Sequence, residues 1–547
     1  MRYITFSGYF YLLLFILQCN SSKAFEKTPY KVRANTKVKY IIIDGTGYKV
    51  SIPDNLLNYD YHVYCYKEHP SVTVEVVSDV DSISFRISEN ESIQVVIEFQ
   101  ERDNLILNFL GVNKLPDGLT LYDKMFYISK LYSEIKFNFV NYDRLHFDLD
   151  SLQKQIMREA IDTRNDYSFY RVLKRFFSLL EEGHTEIYDG GAFKSYIGYV
   201  PITVQEVGNR FFITSVREDL VSFFELGDEI LEINRVTVEN YVNDSIIPYI
   251  SGSTPHFRKE HAIAQLTTGL KESPIEIKWV KKNGLILKDT FRRNGEETRY
   301  DRYGNEKYKR IGNNARFKPN LDLEYLSDSI AILEMNRFWP EQQVIKSFIA
   351  LVPKVSNAKG LVIDLRNNSG GSTGVAHEIL KRIINEKYFL GLEGETRVND
   401  AVYRALGYGY DEYNDYFKGV KYRTEEADTI FIPDTLHRIN CPIVILIGGN
   451  TFSAAEDFLI MLYEVIDRPL FIGTETAGST GLPLVIPNLP YNGYARITTR
   501  RVIFPYSKKK FANEGIIPDI IIKPTIEDIL LGSDIVLERA IQILRSN

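Results

Sequence analysis

The chain has 547 residues, too many for one hydrophobic core, so three or four structural units are expected. Hydrophobic residues make up 44% and charged residues 25%, which excludes a largely disordered chain. A formal net charge of −6 gives no electrostatic footprint for a nucleic-acid partner, and none is expected. Three dispersed cysteines, Cys19, Cys65 and Cys441, form no CxxC or Cys/His cluster. Neither a structural zinc nor any other cofactor is therefore expected. A Cys65–Cys441 disulfide would have to join distant domains, so two separate buried thiols are expected instead.

In chain order, Arg2 and the apolar run Tyr9 to Leu17 read as a leader covering residues 1–24, too short to span a membrane. Two exits are legible. Ser22-Lys23-Ala24 suits a signal peptidase, and Ile16-Leu17-Gln18-Cys19 resembles a lipobox in which Cys19 would carry a lipid anchor. Either one implies export to a bacterial periplasm or cell envelope. Residues 25–115 read as a β-rich domain, from β-branched runs such as Lys39-Tyr40-Ile41-Ile42-Ile43, Val72 to Val76 and Ile93 to Ile97. The period then changes. Leu121, Met125, Ile128, Leu131 and Ile135 mark one helix face, Leu149, Leu152 and Ile156 another, and Asn165-Asp166 cap a third helix. This helical unit spans 116–194 and contains Gly183-His184-Thr185.

Residues 195–300 turn β-rich again. The block Leu226-Gly227-Asp228-Glu229-Ile230-Leu231-Glu232-Ile233-Asn234 resembles a PDZ domain, a module that binds peptides as an added strand, with Ile197-Gly198-Tyr199-Val200 as the candidate carboxylate loop. Arg292 to Arg316 has linker composition. From 317 to 547 strands alternate with helices: Ile330 to Leu333, a helix Glu341 to Val355, the strand Gly360 to Leu365, a helix 374–385, the strand Pro442 to Ile447 and a helix from Ala454 to Val465. Such alternation predicts a layered α/β domain with parallel strands.

Within that domain Ser453 stands where the strand Ile443 to Ile447 passes into a helix. By itself it reads as a helix N-cap. A nucleophile on such a junction would sit beside unbonded N–H groups and the positive end of the helix dipole. The turn Asp364-Leu365-Arg366-Asn367-Asn368-Ser369-Gly370-Gly371 offers close-approaching backbone for an oxyanion and lacks the lysine of a phosphate loop. A serine nucleophile needs a base, and spacing does not choose among eight histidines, of which His184 and His377 are the rivals.

The segments Gly183-His184-Thr185, Leu361 to Gly371, Asn450-Thr451-Phe452-Ser453-Ala454-Ala455-Glu456, Gly473 to Gly478 and Gly515-Ile516-Ile517-Pro518-Asp519 together resemble the C-terminal-processing/tricorn-type serine peptidase family over roughly 118–530. The resemblance implies a ClpP/crotonase-like α/β core and an exported serine endopeptidase acting on polypeptides. One branch of that family uses a Ser–Lys dyad, with Lys after a Thr-x-Gly; here Thr476-Ala477-Gly478 is followed by Ser479. The tricorn-like branch uses Ser–His–Glu, which implies Ser453 as nucleophile and His184 as base. Its Glu would fall at Ala512, so Glu514 is the nearest candidate. The oxyanion donors implied are Gly370 or Gly371 together with Ala454. A catalytically inert peptide-binding protein or an esterase on the same fold are the alternatives.

Overall fold

The computed structural model describes residues 115–295 and 319–546 in full; elsewhere only the backbone of strand segments is described. The expected runs do form strands there, Val38–Asp44, Thr73–Ser78 and Ile93–Phe99. The leader at 1–24, the side chains of Cys19 and Cys65, and most of the stretch Arg292 to Arg316 lie outside the described residues. Cys441 is a free, partly buried thiol. No helix among the described residues is long and apolar enough to cross a membrane.

The C-terminal domain is built on a six-stranded sheet ordered Leu321–Tyr325, Ile330–Met335, Gly360–Asp364, Ile443–Ile447, Leu470–Gly473 and Ile520–Ile521. The first pair is antiparallel and the rest are parallel. Side chains alternate across a strand, and the central strands Ile330–Met335, Gly360–Asp364 and Ile443–Ile447 bury apolar residues on both faces. Leu361, Ile363, Ile445 and Ile447 join a core with the helices Glu341–Val355, Thr373–Ile383 and Ala454–Tyr463. Val362, Val444 and Leu446 face the other way, onto Val536, Ala540 and Leu544 of the helix Ile535–Ser546.

Three helices, Leu121–Asn138, Leu149–Ile161 and Asp166–Ser178, form the helical unit. Asn165 caps the third, its Oδ1 accepting from the Ser168 N–H at 2.8 Å. Their apolar faces do not close on themselves. Ile128, Leu131, Phe169 and Leu173 share one core with Ile486, Leu489, Ala495 and Ile497 of a hairpin from the C-terminal domain. The helical unit is therefore fastened to the domain that carries Ser453, which brings residues ~300 positions apart in sequence into reach.

Between them stands the β-rich module, with the strands Ile202–Val207, Arg210–Arg217, Glu229–Ile233, Pro274–Val280 and Ile286–Arg292 and the helix Pro255–Ile263 around their own core. Gly227 enters its turn at φ +89, and the Asn234 side chain accepts from the Glu276 N–H at 2.9 Å. These are the structural reasons for the two ends of the Leu226-to-Asn234 block. The proposed carboxylate loop is already paired, Ile197–Gly198 with Gly269–Leu270 and Tyr199 with Gly295.

Phe458 is fully buried in the helix that begins at Ser453. Phe458→Ala should destabilise the C-terminal domain by about 3–5 kcal/mol, read as a shift of its urea transition.

Candidate active site

The strand Ile443–Ile447 ends at Gly448, and the next five residues are pinned from several sides. Thr451 Oγ1 donates to the Leu365 carbonyl at 2.8 Å and accepts from the Gly448 N–H at 3.0 Å. Phe452 N–H donates to the Asn368 carbonyl, and Ser453 N–H to the Ser479 carbonyl, each at 3.0 Å. Between these anchors Ser453 is forced to φ 59, ψ −126. A non-glycine residue pays strain of order 1–3 kcal/mol there. The Ser453 Oγ lies 2.9 Å from Nε2 of His184.

His184 is almost fully buried on the loop between the third helix and the strand Glu186–Tyr188. Its ring stacks on Phe452, with centroids 4.5 Å apart and planes at 17°. Its other nitrogen, Nδ1, lies 2.9 Å from Ser479 Oγ. Ser479 Oγ in turn donates to Glu182 Oε1 at 2.5 Å. The remaining oxygen of Glu182 accepts from the His184 N–H at 2.9 Å, from Thr185 Oγ1 at 2.8 Å and from Thr498 Oγ1.

Proton bookkeeping fixes the direction of this chain. Burial pushes the Glu182 carboxyl up, but its bonds to His184, Ser479 and Thr498 outweigh that and hold it at about 2. Glu182 is then an ionised, acceptor-only group, so the single proton of Ser479 points at it. Ser479 must therefore accept from Nδ1–H of His184. That tautomer leaves the Nε2 lone pair facing the Ser453 hydroxyl, the state a general base requires.

The glycine turn divides its two glycines. The Gly370 N–H is spent on Asn368 Oδ1 at 2.9 Å, so Gly370 is not the oxyanion donor that its position suggested. Its role is spatial. It adopts φ +85, and a Cβ there would lie 2.6 Å from the Ser453 Cβ. Gly371, at φ +144, lies against Phe338, and no described group accepts its N–H. The Ala454 N–H, first in its helix, is likewise uncommitted. The Ala454 N–H directly follows Ser453, and Gly371 directly follows the glycine that abuts the Ser453 Cβ.

Glu514 does not join the constellation. It is exposed on the surface and bonded to Lys509 at 2.7 Å. The carboxylate beside His184 is Glu182, which stands directly before the Gly-His-Thr segment that the sequence did single out. His377 lies in the helix Thr373–Ile383 near Phe389 and makes no described hydrogen bond to Ser453; burial lowers its pKa. Two further buried carboxylates, directly after Ser453-Ala454-Ala455, have no role of their own in the sequence reading. Glu456 accepts from Thr476 Oγ1, the Gly478 N–H, the Ser479 N–H and the Ser453 N–H at 2.5, 2.7, 2.9 and 3.3 Å. Burial pushes it up to about 8, against the pull of those bonds. Asp457 ties Thr373 of the glycine-turn side to Thr480 of the Ser479 loop, at 2.6 and 2.5 Å. Among the described residues no group of three or more His, Cys, Asp or Glu is placed to hold a metal.

Two outcomes follow from this geometry. Gly370→Ala, with a strained φ and a contact at 2.6 Å, should cut turnover at least ~100-fold, as a displaced nucleophile does, measured as kcat on any cleaved substrate. Glu182 is depressed from 4.5 to about 2, so it adds stability above its unfolded pKa, and that stability is lost as pH falls through the window from 4.5 to 2. An acid-unfolding titration of Glu182→Gln should accordingly lack part of the wild-type loss across that window.

Comparison with known proteins bears on the domains that carry these residues. Residues 329–522 match the model of peptidase family S41, and residues 197–303 match a PDZ domain. Among solved structures the chain is similar to mature CPAF complexed with lactacystin, at 16% identity over 78% of this chain and 99% of that one, with a TM-score of 0.60. A second structure of mature CPAF aligns at 16% identity over 78% and 97%, with a TM-score of 0.58. The photosystem II D1 C-terminal processing protease aligns at 13% identity over 75% and 98%, with a TM-score of 0.40. At these identities the likeness is one of fold. No curated protein sequence matches the chain. The chain thus carries a serine peptidase domain of family S41 preceded by a PDZ domain, in the order that its motifs foretold.

Proposed function

We propose that the protein is a serine endopeptidase of the tricorn-like, Ser–His type, cleaving polypeptides through an acyl-enzyme on Ser453. The observation that carries this reading is the unbroken path from Ser453 Oγ to His184, Ser479 and Glu182, with contacts of 2.9, 2.9 and 2.5 Å. The parallel sheet with Ser453 at a strand-to-helix turn also fits a ClpP/crotonase-like core.

In the reaction His184 Nε2 takes the Ser453 proton as Oγ attacks the peptide carbonyl. The imidazolium that forms is steadied through Ser479 by the ionised Glu182. Charge on the carbonyl oxygen accepts from the N–H groups of Gly371 and Ala454, which are oriented before the substrate arrives. Collapse expels the amine, protonated by His184, and a water activated by the same nitrogen releases the acid. Ser453 and His184 are the catalytic residues. Glu182 takes the part expected of Glu514, and it and Ser479 are positioning residues, acting through the tautomer of His184. The polypeptide substrate also suits the PDZ domain, whose fold binds extended peptides. On its charged start and apolar run, residues 1–24 are read as an export leader to a bacterial envelope, with Cys19 as the candidate lipid anchor; N-terminal sequencing of the secreted protein tests this, since a start after Ala24 and a lipidated start at Cys19 differ.

Ser453→Ala should lower kcat on unfolded casein by about 10⁴–10⁶-fold; turnover near wild type would remove Ser453 from the nucleophile role. Glu182→Gln tests the proton direction. A Gln amide can donate to Ser479, which turns the serine proton onto Nδ1 and leaves Nε2 protonated. A wrong tautomer costs about 10⁴ in kcat in a related triad, so a loss of roughly that order is expected, with KM little changed. Ser479→Ala interrupts the path without reversing it and should cost less than Glu182→Gln; the reverse ranking would discard the relay.

A further inference from the structure

The hairpin that clamps the helical unit has a second property. Its sheet is ordered Glu186–Tyr188, Gly493–Thr498, Pro483–Leu489, so Pro483–Leu489 is an edge strand among the described residues. It begins four residues after Ser479 and is the direct continuation of the loop that completes the site.

The phase of its hydrogen bonding can be read. In an antiparallel pair, only every second residue bonds to the partner strand. The Thr499 N–H donates to the Leu482 carbonyl at 3.0 Å. With the register Pro483↔Thr498, Leu484↔Ile497, Val485↔Arg496 and Ile486↔Ala495, Leu484 and Ile486 turn their N–H and C=O inward. Pro483 and Val485 turn theirs outward. Two observations agree with this phase. Pro483, which has no N–H, occupies an outward position. Pro487 turns its carbonyl out to Lys130 Nζ at 3.1 Å. Between the two prolines, Val485 is the residue that offers both a donor and an acceptor to the open edge.

Edges of this kind recruit strands and are usually blocked by proline or charge. Here prolines restrict pairing to one residue without closing it. The side chains around it are apolar and exposed: Leu482 at 64%, Leu484 at 37% and Val485 at 52%. On the oxyanion side Trp339, 56% exposed, directly follows Phe338, which bridges Gly371.

We infer that this edge is the substrate-docking strand of the site: an extended polypeptide segment with apolar side chains exchanges main-chain hydrogen bonds with Val485 and is led from there to Ser453. At ~3.3 Å per residue, Val485 is at most ~20 Å of chain from Ser479, so the paired substrate residue stands several positions from the scissile bond. The inference rests on the proposed function for its occupant, and prolines at 483 and 487 fix the register by leaving a single pairing position.

Val485→Pro removes the outward N–H and leaves the inward ladder intact, as Pro483 does naturally; Val485→Ala keeps the N–H and removes the side chain. Both are made in the full-length Ser453→Ala protein, and binding of a fluorescein-labelled 12-residue peptide of alternating Val and Ser, capped at both ends, is followed by anisotropy. Val485→Pro should raise Kd about tenfold, the worth of one or two main-chain hydrogen bonds, and Val485→Ala no more than about threefold, within the scale of one partly buried side chain. Equal Kd for all three proteins overturns the docking strand. So does an unchanged Kd accompanied by loss of self-association in Val485→Pro, which would assign the edge to a second copy of the chain. Turnover does not enter this measurement. A protein that binds through Val485 but does not hydrolyse peptides when Ser453 is restored loses the proposed function and keeps the docking strand, and the opposite pair of results does the reverse.

Discussion

The site depends on holding one residue in a conformation that its side chain resists. Ser453 at φ 59, ψ −126 turns its hydroxyl to His184, and only a network that over-determines the turn can keep it there. Thr451, Asn368 and the Ser479 carbonyl hold the backbone on either side. Gly370 has no side chain because the Ser453 Cβ occupies the space where one would go. Glu456, buried behind the turn, gathers the N–H groups of Ser453, Gly478 and Ser479 into one cluster. Ser453 and Ser479 are therefore anchored to one carboxylate.

That shared anchor gives meaning to the serine at 479. In the Ser–Lys branch that the family resemblance brings to mind, a lysine at this position would itself face the nucleophile. A serine is too short for that role, and it bridges instead. Because its oxygen accepts while its hydrogen donates, it can pass orientation from a carboxylate to an imidazole separated by 3.7 Å without either being displaced. Glu182 is held low although buried, because the neighbouring His184 and the bonds from Ser479 and Thr498 outweigh the cost of burial. Glu456, also buried, is pushed the other way. The two carboxylates, both bonded to Ser479, are thus shifted in opposite directions, because one has an imidazole beside it and the other has only dipoles.

Assembly of the site is also assembly of the domains. Glu182 and His184 follow the helical unit, while Ser453 and Ser479 belong to the α/β domain. The common core of Phe169, Leu173, Ile486 and Ile497 fixes one against the other. The PDZ domain closes the third side. Its Thr254 hydroxyl donates to the Ala477 carbonyl at 3.0 Å, its Glu260 accepts from the Asn450 side chain at 2.9 Å, and its Ser253 hydroxyl accepts from the Gly183 N–H at 3.2 Å. Each of these contacts lands on a loop that carries a member of the site.

By itself the sequence determined the parts whose cause is local. Period-two and period-3.6 patterns placed the strands and helices of the α/β domain to within a few residues, Asn165 its cap and Gly227 its turn, because backbone conformation and one-sided burial act over a few neighbouring residues. Motif order was sufficient to set Ser453 and His184 together. What the tertiary structure decided were matters of direction and distance between segments far apart in the chain. Gly370 and Gly371 are adjacent glycines, and only the position of Asn368 Oδ1 separates a spent N–H from an open one. By sequence, Glu514 is the candidate acid and Glu182 is passed over. Glu182 reaches the site because the loop after the third helix folds its carboxylate inward onto Ser479, whereas Glu514 turns outward to Lys509. A carboxylate's partner is set by where its oxygens lie within about 3 Å, and that is fixed by packing between domains, which no spacing along the chain encodes.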